Sequence, residues 1–322
     1  MAPRFSVIVP VYNRVDEVSD LMRSLDAQTC KDFEAVIVED GSTEPCGDVV
    51  RAYPGVRSKY YYKENEGRSI ARNYGMERAE GEYFIFFDSD CVIPPGYFEV
   101  LSRELDARPL DCFGGPDAAH ESFSTTQKAI SYAMTSLLTT GGIRGGKVSM
   151  EKFVPRTFNM GFSRRVYDKV GGFREMFSED IDMSTRIRQA GFSIGLIRPA
   201  YVYHKRRVDF GMSRITLRLL YPGSMKLVHT LPALAVIIGV VLVLLGIFVS
   251  PWWLLPIGVY LLAIFAHALL LTKSPVIAAK AVPASVIQIT GYGTGFIKAY
   301  VTKILLGRGR DIEEEILIRK GK

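Results

Sequence analysis

Between residues 231 and 272 the only ionisable side chains are Tyr260 and His267. No other feature restricts the fold as strongly, because a run this apolar has to be covered by lipid or by protein. Residues 231–249 and 252–272 are each about long enough to cross a bilayer core, which takes roughly 20 apolar residues. An uncharged turn, Ser250-Pro251, joins them, and Trp252 and Trp253 suit the interface there. Two buried helices of a soluble protein would fit the same composition, but a soluble core rarely offers two such runs back to back. The runs contain no carboxylate, which argues against a channel or transporter. Lys273 and Lys280 follow them, and Lys205, Arg206, Arg207, Arg214, Arg218 and Lys226 precede them, opposed only by Asp209. Such flanks are expected on the cytoplasmic side, with the short turn outside.

The net charge is +6, and the basic residues just ahead of the apolar runs suit anionic lipid headgroups better than nucleic acid. Phe210, Met212, Ile215, Leu217 and Leu219 lie among them, so residues 206–228 are expected to lie along a membrane surface. Residues 276–306 are apolar but interrupted by Lys280, Pro283, Gly291, Gly293, Gly295 and Lys298. They form either a third crossing or a re-entrant or interfacial segment, and Lys303, Arg308 and Arg310 favour the second. The expected division is a catalytic domain over 1–205, an interfacial segment over 206–228, a membrane domain over 229–306 and a cytoplasmic tail over 307–322. Cys30, Cys46, Cys91 and Cys112 show neither a CxxC pair nor zinc-ligand spacing and fit thiols kept reduced. With no signal peptide visible at the N-terminus, the catalytic half is expected in the cytoplasm, on the inner membrane.

Ahead of the apolar runs the sequence alternates. Residues 5–9 are an apolar run closed by Pro10, and Val18, Leu21, Met22 and Leu25 follow at helical spacing. Residues 33–38, 59–63 and 83–87 predict further strands, with a helix over 68–79. This alternation predicts an α/β fold, a Rossmann-like sheet with helices on both faces, followed by an α-helical membrane domain. Ligands of such sheets sit at the carboxyl ends of the strands. The polar residues there are Asn13, then Glu39-Asp40-Gly41-Ser42, then Asp88-Ser89-Asp90.

Asp88 and Asp90 are one residue apart, which in an extended chain turns both carboxylates to one side, where they can share a hard cation. Ser178 predicts a helix N-cap, with Glu179 and Asp180 in the first turn and Met183, Ile187 and Ala190 at helical spacing until Gly191. The helix dipole favours an ionised carboxylate there, which can act as a general base. Asp182 and Arg186 are spaced to pair. The glycine-rich residues 141–147 fail the phosphate-loop pattern because Val148 follows Lys147. They predict a mobile loop on the acceptor side, with Arg144 and Lys147 available to an anionic acceptor.

In this order, Ser6-Val7-Ile8-Val9-Pro10-Val11-Tyr12-Asn13, Glu39-Asp40-Gly41-Ser42, Gly67-Arg68-Ser69-Ile70-Ala71-Arg72-Asn73, Asp88-Ser89-Asp90 and Glu179-Asp180-Ile181-Asp182 resemble the family-2 glycosyltransferases. The resemblance covers roughly residues 5–204 and implies a GT-A fold, inversion at the anomeric carbon and Mg2+ or Mn2+. It implies that Asp40 contacts the nucleoside base, with Pro10, Tyr12 and Asn13 enclosing it. It places Asp88 near the ribose and donor sugar, Asp90 on the metal, Arg72 toward the donor and Asp180 as the base for the acceptor hydroxyl. Glu179 falls on the acceptor side, and Gly115, in Gly114-Gly115-Pro116, lines the sugar pocket. His204 ends the last strand and, as in non-processive relatives, is expected to help hold the metal or diphosphate. Two departures stand out. Glu39 replaces the usual Asp, and no Gln-x-x-Arg-Trp segment closes the domain, which favours transfer of a single sugar.

The expected partners are a UDP-, GDP- or dTDP-linked sugar donor, a lipid-linked acceptor and membrane lipids, with no nucleic acid. Transfer to a polyprenyl phosphate is the nearest alternative. Its acceptor oxygen is already ionised and needs a base less. A non-catalytic nucleotide-sugar-binding scaffold is the alternative of another class, and it has no use for Asp180.

Overall fold

The computed structural model describes residues 2–118, 123–140, 153–176, 178–204 and 229–306. The chain forms two compact units that do not follow chain order. One comprises Met1–His120 and Val148–Lys205, the other Glu121–Lys147 and Arg206–Lys322. In chain order the first elements are β1 (Phe5–Val11), α1 (Val15–Asp26), β2 (Phe33–Asp40), α2 (Gly47–Arg51), β3 (Ser58–Lys63), α3 (Arg68–Arg78) and β4 (Tyr83–Phe86). There follow β5 (Cys91–Val92), α4 (Tyr97–Ala107), β6 (Cys112–Gly114), β7 (Asp117–Ala118), then α5 (Thr125–Thr135) and α6 (Leu137–Thr140) of the second unit. The first unit resumes with β8 (Met160–Ser163), α7 (Arg164–Val170), α8 (Glu179–Gln189), β9 (Ile194–Leu196) and β10 (Val202–His204).

Seven strands of the first unit form one sheet in the order β3-β2-β1-β4-β8-β6-β9. All run in one direction except β8, which makes the sheet mixed. The unbroken apolar runs of β1 and β2 are explained by burial on both faces. Val7, Val9 and Val11 meet α1 and α4, while Ile8, Val36 and Val38 meet α3, α7 and α8. Each fully buried side chain of this kind contributes about 1.5–3 kcal/mol, so a one-residue register slip is strongly opposed. Pro10 is tolerated in this central strand for a local reason. Ile8 turns its carbonyl toward Phe87 N, 3.4 Å away, so Pro10, two residues on, turns its missing N–H to the same side. There β4 has already ended at Phe86. A second, three-stranded sheet, β5-β10-β7, joins segments distant in sequence.

The second unit contains α9 (Leu231–Phe248), a 3-10 turn (Pro251–Leu254), α10 (Leu255–Thr272) and α11 (Pro275–Tyr300), closed by a π turn (Val301–Leu305). Leu231–Phe248 and Pro251–Thr272, with mean hydropathies of 3.0 and 2.3, are long and apolar enough to cross a membrane. α11 runs straight through Lys280, Pro283 and the glycines that interrupt the apolar run. Ala278, Ala281, Ser285, Gln288, Gly291 and Ala299 are buried along one stripe of α11. A Cβ on Gly293 would lie 2.6 Å from the Pro232 carbonyl oxygen, so the small residues let helices approach rather than end them. α5 belongs to this unit through Tyr132, whose hydroxyl lies 2.8 Å from His267 Nδ1 and donates to the Ile264 carbonyl at 3.2 Å. The expected interfacial segment 206–228, the tail 307–322 and the loop 141–147 lie outside the described residues, as do Arg144 and Lys147.

Candidate active site

At the carboxyl end of β2 two adjacent acids have different surroundings. Glu39 is fully buried, accepting from Ser42 Oγ, from Cys46 N at 2.7 Å and from Tyr60 OH at 3.1 Å. The extra methylene relative to Asp is what reaches these donors, so Glu39 builds the turn. Gly41 permits that turn, with φ at +74° and a would-be Cβ 2.6 Å from Asn65 N. Ser42 Oγ also accepts from Asn13 N at 2.7 Å, and Asn13 Oδ1 accepts from Thr43 N at 2.8 Å. Asn13, at φ +53°, thereby ties the end of β1 to that of β2. Pro10 is partly buried beside it, and the Tyr12 ring is exposed. Asp40 accepts from Lys63 Nζ at 2.9 Å, Glu66 N at 3.0 Å and Gly67 N at 2.8 Å, which docks the start of α3 onto β2.

Arg72, 1% exposed, joins two of the sequence clusters. It donates to Asp88 Oδ1 at 2.9 Å and to Glu179 Oε1 at 2.8 Å, while Arg68 donates to Glu179 Oε2 at 3.0 Å. Its Nε–H is buried without an acceptor. Glu179 is therefore buried against two arginines, and Arg72 spans from α3 to both acidic motifs. A guanidinium so placed is held in one rotamer by charge-assisted bonds.

Asp88 and Asp90 lie in a turn rather than in the extended chain expected for them, since Cys91 N bonds to the Asp88 carbonyl at 3.1 Å. Their carboxylates still converge, but on His204. Asp90 Oδ1 is 3.1 Å and Asp88 Oδ2 3.8 Å from His204 Nε2, and Asp117 Oδ2 is 3.7 Å from Nδ1. The small sheet produces this meeting by setting His204 opposite Cys91 and Val202 opposite Asp117. Burial lowers the affinity of the imidazole for its proton, but the Asp117 and Asp90 carboxylates and the charge of Asp88 outweigh it and push His204 up to about 10. Asp90, Cys91 and His204 bring three ligand-type atoms within 4.8 Å of one another. Burial holds the Cys91 thiol well above its usual range, with the charges of Asp90 and Asp88 adding to the effect, and its Sγ lies 3.5 Å from the Phe158 carbonyl. Carboxylate and imidazole are the groups of this set that suit a hard divalent cation.

The second acidic cluster opens α8. Ser178 occupies the N-cap position at φ +63° and makes no side-chain cap bond, in contrast to the expected capping role. Asp180 instead binds its own first turn, accepting from Ile181 N at 2.8 Å through Oδ1 and from Arg156 at 3.1 Å through Oδ2. Asp182 does pair with Arg186, at 2.8 Å, and also with Arg174, at 3.1 Å, but as a wholly buried group rather than on the helix surface. Gly115 is fixed by packing, because a Cβ there would sit 1.7 Å from the Ala200 carbonyl oxygen.

Asp117, Lys63 and Arg156 were not singled out in the sequence. β6 runs parallel to β4, so inspecting the polar residues after each parallel strand would have found Asp117 had a three-residue strand been visible. Lys63 closes β3 by the same rule. Nothing in the local sequence marks Arg156.

Residues 6–171, just over half of the chain, match the family model Glycosyl transferase family 2. An uncharacterized glycosyltransferase of Rickettsia conorii is 42% identical over 104 residues, which is 32% of this chain and 17% of that one. Glycosyltransferase GlyA of Streptococcus pneumoniae serotype 4 is 38% identical over 104 residues, 32% of this chain and 15% of that one. The chain thus aligns with less than a fifth of the length of either relative. Among solved structures, a mannosyltransferase of Pyrobaculum calidifontis in complex with GDP-Man and Mn2+ superposes with a TM-score of 0.52 at 18% identity. The match covers 90% of this chain and 88% of that one, a likeness of fold.

Proposed function

The chain belongs to glycosyl transferase family 2 and has the GT-A fold, and from that premise we propose a specific reaction for it. It moves one sugar from a UDP-, GDP- or dTDP-linked donor to a hydroxyl of a lipid-linked glycan or lipid saccharide, with inversion, in the building of cell-envelope polysaccharide or glycolipid. The observation that carries the reading is the meeting of Asp88, Asp90 and His204 at the carboxyl ends of the strands.

Asp90 and His204 fit a divalent cation. Asp90 Oδ1 is buried without a hydrogen-bond partner, His204 Nε2 lies 3.1 Å from it, and the two offer the oxygen and nitrogen that Mg2+ or Mn2+ accepts. Such a cation, when bound, stabilises the negative charge that gathers on a departing diphosphate. A fold relative solved with GDP-Man and Mn2+ supports this assignment. In this reaction Asp40 accepts from the base, which Pro10, Tyr12 and Asn13 enclose, and Asp88 orients the ribose and sugar. Arg72, locked between Asp88 and Glu179, presents its charge to the donor, and Gly115 keeps the wall of the sugar pocket narrow. Asp180 takes the proton of the acceptor hydroxyl as that oxygen bonds to the anomeric carbon and the bond to the diphosphate breaks. Arg156 holds Asp180 Oδ2 in place for that step.

Arg156 also favours the second reading, a polyprenyl-phosphate acceptor, since a guanidinium beside Asp180 can equally hold a phosphate. The two apolar helices and their lysine flank support anchoring in the inner membrane with the catalytic unit in the cytoplasm.

Purified protein given each labelled nucleotide sugar with a lipid extract tests the reading. One donor should label a chloroform-soluble product of inverted anomeric configuration. Asp180→Asn should slow transfer to a hydroxyl by at least about 100-fold and transfer to a phosphate far less. A retained anomeric configuration, or no labelled lipid with any donor, would refute it.

A further inference from the structure

The histidine of the site is held from three directions. On one edge, Nε2 faces Asp90 at 3.1 Å and Asp88 at 3.8 Å. On the opposite edge, Nδ1 lies 3.7 Å from Asp117 Oδ2. Its flat face stacks on Phe158, with ring centroids 4.9 Å apart and planes 23° apart. All three carboxylates and the imidazole are at most about a third exposed, and Asp117 and His204 are 14% and 16% exposed. The strands that assemble them are only two or three residues long, too short to add much stability, so their consequence is this placement.

We propose that Asp117 is a positioning residue for the cation site, acting through His204; the inference rests on the assignment of Asp90 and His204 to a divalent cation. A neutral imidazole binds a cation through the nitrogen that lacks the proton, and the other nitrogen's partner decides which one that is. Asp117 stands on the Nδ1 side and keeps the proton there, which leaves the Nε2 lone pair directed toward Asp90. Phe158 sets the plane of the ring. The Nδ1 to Oδ2 separation exceeds a hydrogen bond of about 3 Å, a difference a small aspartate rotation closes. Asp117 thereby tunes how tightly the site holds its ion without touching the donor. Its carboxylate also compensates the charge that the cation brings to a buried histidine.

Mn2+ alone, titrated into the detergent-solubilised full chain and followed by loss of the free-ion electron paramagnetic resonance signal, tests this. Wild type should bind, and Asp90→Asn should abolish binding. Asp117→Asn should raise Kd by roughly 10–100-fold, and Asp117→Glu should recover to within a few fold of wild type. In the Mg2+-loaded protein labelled with 15N-histidine, His204 should be protonated on Nδ1, and Asp117→Asn should reduce that preference. Only four histidines contribute signals. Unchanged Mn2+ affinity in Asp117→Asn, with Asp90→Asn still defective, would overturn the role of Asp117 and spare the cation site. Unchanged affinity in Asp90→Asn would overturn the cation site itself. Should Asp117→Asn not fold, Phe158→Leu decides through the same titration, since a ring freed from its stack should also bind Mn2+ more weakly, and wild-type affinity there would count against the proposal.

Discussion

Asp182 and Glu179 face arginines in the interior, whereas Asp88, Asp90 and Asp117 face a single imidazole. In the sequence, residues 179–182 and 88–90 are both short acidic runs, and Asp117 stands alone. In the fold the first is neutralised by partners the chain supplies: Arg174 and Arg186 on Asp182, Arg68 and Arg72 on Glu179. The second gathers three carboxylates around one proton-carrying ring, and Asp88 is also bonded to Arg72. Carboxylates matched by guanidinium groups hold elements together; carboxylates gathered around an imidazole offer the mixed oxygen and nitrogen set that a divalent cation accepts. Asp180 combines a bond from Arg156 with one from its own helix start.

The comparison can be broken at either cluster. Asp90→Asn should lower kcat/KM by about 10³-fold, or about 4 kcal/mol of transition-state stabilisation, while the melting temperature holds or rises because one crowded charge is gone. Near-wild-type turnover would remove Asp90 from the site. Asp182→Ala should cost about 3 kcal/mol of stability, seen as earlier thermal unfolding in detergent, because it removes the buried carboxylate that Arg174 and Arg186 share. If instead the unfolding curve is unchanged and transfer is lost, Asp182 belongs with the active group. Glu39→Asp, which restores the more usual residue, should destabilise by about 1–2 kcal/mol by withdrawing from Cys46 N and Tyr60 OH, with donor binding largely kept. Arg51→Ala removes an ion pair to Asp48 in which both side chains are mostly exposed, and should move stability by no more than about 0.5 kcal/mol.

What could be read in advance followed the physics of burial. β1 and β2 were legible because strands covered on both faces must be apolar throughout, and α3 because its periodicity is regular. β6 and β7 were not, since two or three residues carry no period, whereas the last strand was legible from Tyr201-Val202-Tyr203. For that reason Asp117 was invisible while Asp90 and His204, at the ends of readable runs, were found. The glycines and Pro283 of α11 left its character open, since the same small residues mark a break in an isolated helix and a close crossing in a packed one. Pairing was the least legible property. That Arg72 serves both Asp88 and Glu179, 107 residues from the latter, comes from the packing of α3 and α8 in one core cluster on the sheet.

Calorimetric titration of UDP, GDP, dTDP and CMP into the solubilised chain, with and without Mn2+ and beside Asp90→Asn, tests the central claim most directly. One diphosphate should bind only when Mn2+ is present and lose that binding in the variant. Binding of none of the four, or binding indifferent to both Mn2+ and Asp90, would contradict it.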